Sequence, residues 1–374
     1  MMRYPSSGTA RVAPPPSPRH ATGARGGASA GDNERMAVPR QRPPRLIRPV
    51  REPATVPPPL EGPWAPTDLR LDHADLLPLP DGAHGPEDVL IDPDGRVISG
   101  DEDGRLWWWP ADAPAGTRPR LLAETGGRPL GIELDPVDGA LVVCDAYRGL
   151  LRVTPDGVVH ELTGSAPPVH LADNATVARD GTIYFTDSSD RFPLSHWKRD
   201  LLEHRPNGRV LAYDRRTGRT EVVTSGLYFP NGVALTPDES ALMLVETATH
   251  RLLRIDLPDG RATVLTDLPA YPDNVAAVGD GTYWIALPSP RLPIMERLLP
   301  HPRVRQLVAL LPGAVQPQPR RYGLVALVDG EGRVLRTLHG PTGAYSMITG
   351  VRQHGDLLWL GSLTATGVAR VRLG

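Results

Sequence analysis

The chain has 374 residues, with 41 basic and 43 acidic side chains and a formal net charge of −2. A balance this close to neutral offers no electrostatic case for nucleic acid or for an anionic membrane. Cys144 is the only cysteine, so no intrachain disulfide can form and the fold demands no oxidising compartment.

Residues 1 to about 62 are rich in Pro, Arg, Gly and Ala and poor in aliphatic side chains. Such a composition cannot bury a core, and a disordered tail is expected. The tail lacks the apolar run of about 7–15 residues that a signal peptide needs, and Met36 is an alternative start. With no apolar stretch long enough to span a bilayer either, the expected location is the cytoplasm.

From residue 63 onward the chain repeats itself. Strand openings fall at Glu87, Leu130, Asp173, Asn231, Asn274 and Thr349, separated by 43, 43, 58, 43 and 75 residues. Each opening leads through a hairpin turn to a second strand. Phe229-Pro230-Asn231-Gly232-Val233-Ala234-Leu235, Thr236-Pro237-Asp238-Glu239-Ser240 and Ala241–Glu246 show the pattern most fully. Third strands follow, among them Arg105–Trp109, Val210–Tyr213 and Val368–Val371. A four-stranded antiparallel unit of about 40 residues in six copies predicts an all-β, six-bladed propeller over residues 63–374. The last copy ends one strand short, and Asp75-Leu76-Leu77-Pro78-Leu79 is the candidate to complete it.

The two long gaps hold insertions, about 189–207 and 291–321. Phe192, Trp197 and Leu201-Leu202 mark the first; apolar residues from Ile294 to Leu311 mark the second, with helices broken at Pro300 and Pro302. They read as short amphipathic helices on the channel-mouth face of the ring. A lid over a pocket, touching lipid, is a second reading compatible with the first.

In a propeller the innermost strands line a central channel, so all six openings converge at one end of it. Glu87, Asp173, Asn231, Asp273 and Asn274 then surround one axis, with Asp145, Asp187 and Glu246 in a ring outside them. Several carboxylates at a narrow mouth raise one another's pKa or bind a cation. Oxygen donors without His or Cys suit Ca²⁺ better than Mg²⁺ and disfavour zinc. Each residue taken singly is equally at home capping a turn.

The stretches Gly85-Pro86-Glu87, Gly127–Ile132, Asp145–Leu150, Ile183–Ser189, Phe229–Val233 and Tyr271-Pro272-Asp273-Asn274 resemble the strictosidine synthase-like family, including its adipocyte plasma-membrane-associated members. That family lies within the calcium-dependent propeller group of paraoxonases and gluconolactonases. The resemblance spans about residues 69–374. It implies a calcium site of Glu87, Asn231, Asp273 and Asn274, with Asp173 where the family usually has an amide and Asn174 as the alternative if the strand shifts by one. True strictosidine synthases carry a catalytic Glu in the segment that here reads Ser346-Met347-Ile348-Thr349-Gly350-Val351. Leu130 stands where paraoxonases place a His.

The function implied is a Ca²⁺-dependent hydrolase of small lactones or aryl esters, with condensation chemistry disfavoured. Asp273 is the candidate to steer the attacking water, and His250 the candidate general base. The competing expectation is a non-catalytic propeller that binds a small ligand or protein partner around a structural calcium.

Overall fold

The structure, a computed structural model, describes Pro44, residues 46–164 and residues 167–374. Asx turns fold the inner strand pair of blades one to five. In the first, Asp92 Oδ1 accepts the N–H groups of Asp94 at 3.0 Å and Arg96 at 2.8 Å. Gly95 supplies the left-handed φ of 73° that closes Val89–Ile91 onto Arg96–Gly100. At the fourth equivalent turn a non-glycine residue, Glu239, takes a φ of 55°.

Repetition of this hairpin gives six four-stranded antiparallel sheets in the described residues. Chain order is also spatial order in the first four blades: blade four runs Pro230–Leu235, Ala241–Glu246, Arg251–Asp256 and Arg261–Asp267 from axis to rim. Blade five starts at Val275–Ala277 and is interrupted by the second insertion. Blade six takes its inner three strands from Ile348–His354, Leu357–Ser362 and Gly367–Arg372. Its outer strand is Asp75–Pro78, paired so that Asp75 faces Arg370 and Pro78 faces Gly367. The expected six-bladed ring, closed by the strand ahead of the first repeat, is the observed one.

Alternation along the strands places the cores between blades. Leu77, Val97, Trp109, Trp359 and Val368 form the core that joins the first blade to the sixth. Trp108, on the opposite side of its strand from Trp107 and Trp109, packs toward blade two. A large side chain fully buried this way contributes about 1.5–3 kcal/mol, so Trp109 and Trp359 help hold the seam where the ring closes.

The insertions are helical. The first holds α1, Trp197–Glu203; the second holds α2, Pro293–Leu298, and α3, Pro302–Leu310. Pro302 begins α3 at its first turn, where a missing N–H costs nothing. None of the described helices is long and apolar enough to cross a membrane.

One expectation is corrected. Residues 1–43 and Arg45 of the anticipated tail lie outside the described residues, but the segment from Leu46 to Thr55, the strap, is held across the insertions. Ile47 is 2% exposed, packed with Phe192, Leu202 and Ala309. The Arg48 N–H donates to Glu203 Oε2 at 3.0 Å, the Glu52 N–H to Leu299 O at 3.2 Å, and Gln306 Nε2 to Ile47 O at 3.1 Å. Average composition concealed one anchor residue whose pocket comes from side chains about 150–260 positions away.

Candidate active site

At the axis most inner strands begin with a break in pairing. In blade four the register passes from Pro230–Glu246 to Val233–Leu244, leaving Asn231 and Gly232 in a bulge. The same skip brackets Leu130-Gly131, Asp173-Asn174 and Thr349-Gly350. In blades one and five the ladder starts at Val89 and Val275, just after Glu87-Asp88 and Asp273-Asn274. A bulge releases its first residue from the pleat and re-aims the side chain.

The second bulge residue lies against the neighbouring blade. A Cβ on Gly232 would sit 2.2 Å from Val275 N, so only glycine fits there. Where this residue is not glycine, its side chain stitches the ring together. Asp88 Oδ2 accepts the Ile132 N–H at 3.0 Å, and Asn174 Oδ1 accepts the Val233 N–H at 3.2 Å. Asn174, the alternative ligand on a one-residue shift, is therefore committed to blade four, while Asp173 faces the channel.

Glu87, Asp173, Asn231, Asp273 and Thr349 form the floor of a cavity of about 110 Å³. Its walls are mostly apolar: Trp197, Leu201 and Leu202 from the first insertion, Met295 from the second, and Phe229 and Tyr271 from the blades. The insertions thus pack on the ring and roof a pocket at once. Lys198 also lines the cavity, and its Nζ donates to Gln318 Oε1 at 2.8 Å, linking one insertion to the other.

The floor is electrostatically unfinished. Asn274 Nδ2 donates to Glu87 Oε1 at 3.1 Å, and Ser188 Oγ donates to Asp173 Oδ2 at 2.7 Å. Yet Glu87 Oε2, Asn231 Oδ1 and Asn274 Oδ1 are buried without a hydrogen-bond partner. Burial, then the charges of Asp273, Asp88 and Asp173, pushes Glu87 well above the carboxylate range, with Arg128 pulling the other way. Burial and Asp173 do the same to Asp273, against hydrogen bonds with Glu87 and Asn231. Asp173 is raised to about 7 by burial, opposed by the Ser188 hydroxyl.

Buried oxygens with no donor and carboxylates that repel one another are what a hard cation relieves. Among the described residues no three His, Cys, Asp or Glu side chains form a metal cluster by themselves. Any cage therefore depends on amide oxygens as much as on carboxylates, which suits Ca²⁺. The residues fit the ion.

His250 is not brought to this floor. It is almost fully buried outside the cavity lining, with its ring edge-on to Tyr271 at 4.6 Å and its Nε2 3.9 Å from Glu296 Oε1. Burial first, then the charges of Arg291 and His204, holds it well below the usual imidazole range. The expectation of His250 as general base is corrected: Tyr271, not His250, meets the cavity. The outer carboxylates are structural. Asp145 accepts the Tyr147 N–H at 2.9 Å and the Thr125 hydroxyl at 2.8 Å, Asp187 pairs with Arg209, and Glu246 accepts the Tyr228 N–H at 2.8 Å.

Sequence reasoning passed over Arg128, the buried cation beside Glu87, whose Nη1 has no hydrogen-bond partner. It also passed over Ser188, which orients Asp173. Ser188 directly follows the acid that ends its strand, and that adjacency was the available signal.

The strictosidine synthase-like N-terminal model matches residues 62–109, and the strictosidine synthase model residues 173–257. The chain is 36% identical over 299 residues to strictosidine synthase-like protein 6 of Arabidopsis thaliana, covering 78% of this chain and 79% of that one. It is 36% identical over 265 residues to the adipocyte plasma membrane-associated protein of Bos taurus, covering 66% and 64%. A gluconolactonase structure from Xanthomonas campestris superposes with a TM-score of 0.58 at 20% identity, covering 89% and 99%. A calcium-binding regucalcin from Agrobacterium tumefaciens gives 0.54 at 14%, covering 80% and 90%. These two likenesses speak to the fold. The bulge-borne donors, the ring and the extent of sequence identity lead to one conclusion: the chain belongs to the strictosidine synthase-like family.

Proposed function

We propose that the protein is a calcium-dependent hydrolase of lactones or aryl esters whose acyl or alkyl part is apolar. The observation that carries this reading is the set of unpartnered buried oxygens on Glu87, Asn231 and Asn274 under a cavity with apolar walls. Glu87, Asp173, Asn231, Asp273 and Asn274 would hold the ion. Bound there, Ca²⁺ supplies Lewis acidity that polarises a carbonyl and favours the developing oxyanion.

The remaining work falls to the chain. Trp197, Leu201 and Met295 seat the apolar part of the substrate and keep bulk water from the floor. Asp273, a floor carboxylate, accepts the proton of the attacking water, a role that requires hydrogen-bond reach. Thr349 offers no carboxylate for condensation, and its Oγ1 already donates to Glu87 O at 2.7 Å. The same reading keeps the protein in the cytoplasm, which cell fractionation tests.

Hydrolysis of phenyl acetate, an alkyl-substituted lactone and gluconolactone, with and without EDTA, tests the proposal. Turnover of the first two should exceed that of gluconolactone and vanish on chelation. Asn231→Ala should lower kcat/KM by ~10²-fold, because it removes one of the oxygens that would hold the ion. Absence of turnover with Ca²⁺ in excess, or equal rates after chelation, would refute it.

A further inference from the structure

The net charge of −2 conceals an uneven distribution. The second insertion carries four exposed arginines, Arg297, Arg303, Arg320 and Arg321, and its single acid, Glu296, is buried against Arg291. The same insertion exposes Ile294, Val304, Leu307, Leu310, Leu311 and Val315. Leu307 is 65% and Val315 66% exposed, values expected of polar surface residues.

Those at the α3 end of the set form one face. At 100° per residue, Val304, Leu307, Leu310 and Leu311 share about a third of the α3 circumference, with Arg303 among them. Arg305 and Ala309, on the other side, are buried. Beside α3 runs the strap, the segment from Leu46 to Thr55, tied down where Gln306 bonds Ile47 O and Arg305 bonds Val50 O; Leu46 and Val50 on it are exposed. Isolated exposed apolar residues need no explanation, but a contiguous set rimmed by one sign of charge does.

The charge identifies the occupant. The chain leading into the strap, residues 1–45, holds eight arginines against only Asp32 and Glu34. An apolar helix face bordered by arginine, preceded by a basic arm, is complementary to anionic lipid headgroups over acyl chains. We propose that α3, the loop after it and the strap dock on an anionic lipid surface, lying in its plane. Because α2 and the loop after α3 also contribute Met295 and Gln316 to the cavity, docking would bring the pocket roof to the lipid. This inference does not depend on the hydrolase reading.

Sedimentation of the full chain with vesicles of phosphatidylcholine alone, and of phosphatidylcholine with phosphatidylglycerol, tests it. Binding is expected to the mixed vesicles, weakening as salt rises. Leu307→Asp/Leu310→Asp should reduce binding by tenfold or more at unchanged Tm and unchanged calcium binding. Arg303→Glu, which leaves the leucines in place, should reduce binding at low salt and lose its effect at high salt. Equal binding by all variants, or none to either vesicle, would overturn the proposal. So would a wild-type chain that dimerises through this face, monomeric as the leucine double variant and indifferent to vesicles.

Discussion

Asp173 and Asn174 are adjacent in sequence and do opposite work. One lines the cavity and the other bonds the next blade's inner strand. Residue type and spacing brought both to the axis but could not choose between them, because the choice is made by a bulge of one residue. His250 went astray for a related reason: it follows a strand end that does return to the mouth, but its backbone, at a φ of 60°, carries the ring to a place behind Tyr271. Asp200 offers a test at this scale. Buried in α1, with Ser189 and Asn207 donating to Oδ2 and nothing to Oδ1, it is raised from 3.8 to about 7. A carboxyl that holds its proton more tightly when folded stabilises the fold fully below its unfolded pKa, and that contribution is lost as pH rises through 7. In Asp200→Asn the amide nitrogen can occupy the Oδ1 position without a charge. The fall in Tm between pH 6 and pH 8 should therefore be smaller in Asp200→Asn than in the wild type; equal falls would place the titration elsewhere.

The blades were legible as elements because every copy restates one pattern: an opening residue, a polar turn with Asp or Gly, and alternating aliphatics. Even the closing strand Asp75–Pro78 could be assigned, since a ring of six sheets lacked one partner. The strap could not. Its prolines and arginines match a disordered composition, and its stability comes from Ile47 and from hydrogen bonds to residues far along the chain. Ile47→Ala should cost about 2–4 kcal/mol of local stability, the range for truncating a buried aliphatic. Hydrogen exchange should then quicken at residues 47–52 and in α1 and α3, with the blade strands unchanged. Unaltered exchange in the strap would show that Ile47 is not its anchor.

At the scale of the whole molecule, the ring gathers oxygens from blades one, three, four and five that no local segment could assemble. Small residues make this possible: Gly131, Gly232 and Gly350 stand where a Cβ would lie within 2.8 Å of the neighbouring blade's atoms. The lid was partly legible, since apolar residues at helical spacing announced the insertions. The apolar walls they give the pocket were not, because a helix pattern does not reveal which stripe faces a cavity. What the converged donors are for then turns on one chemical point, the identity of what the floor binds. Calcium titration of chelator-stripped protein by calorimetry examines it directly. One ion should bind per chain in the wild type, and Glu87→Gln and Asn231→Ala should weaken that binding by at least tenfold with the fold intact. No binding by the wild type, or equal affinity in all three, would contradict the account.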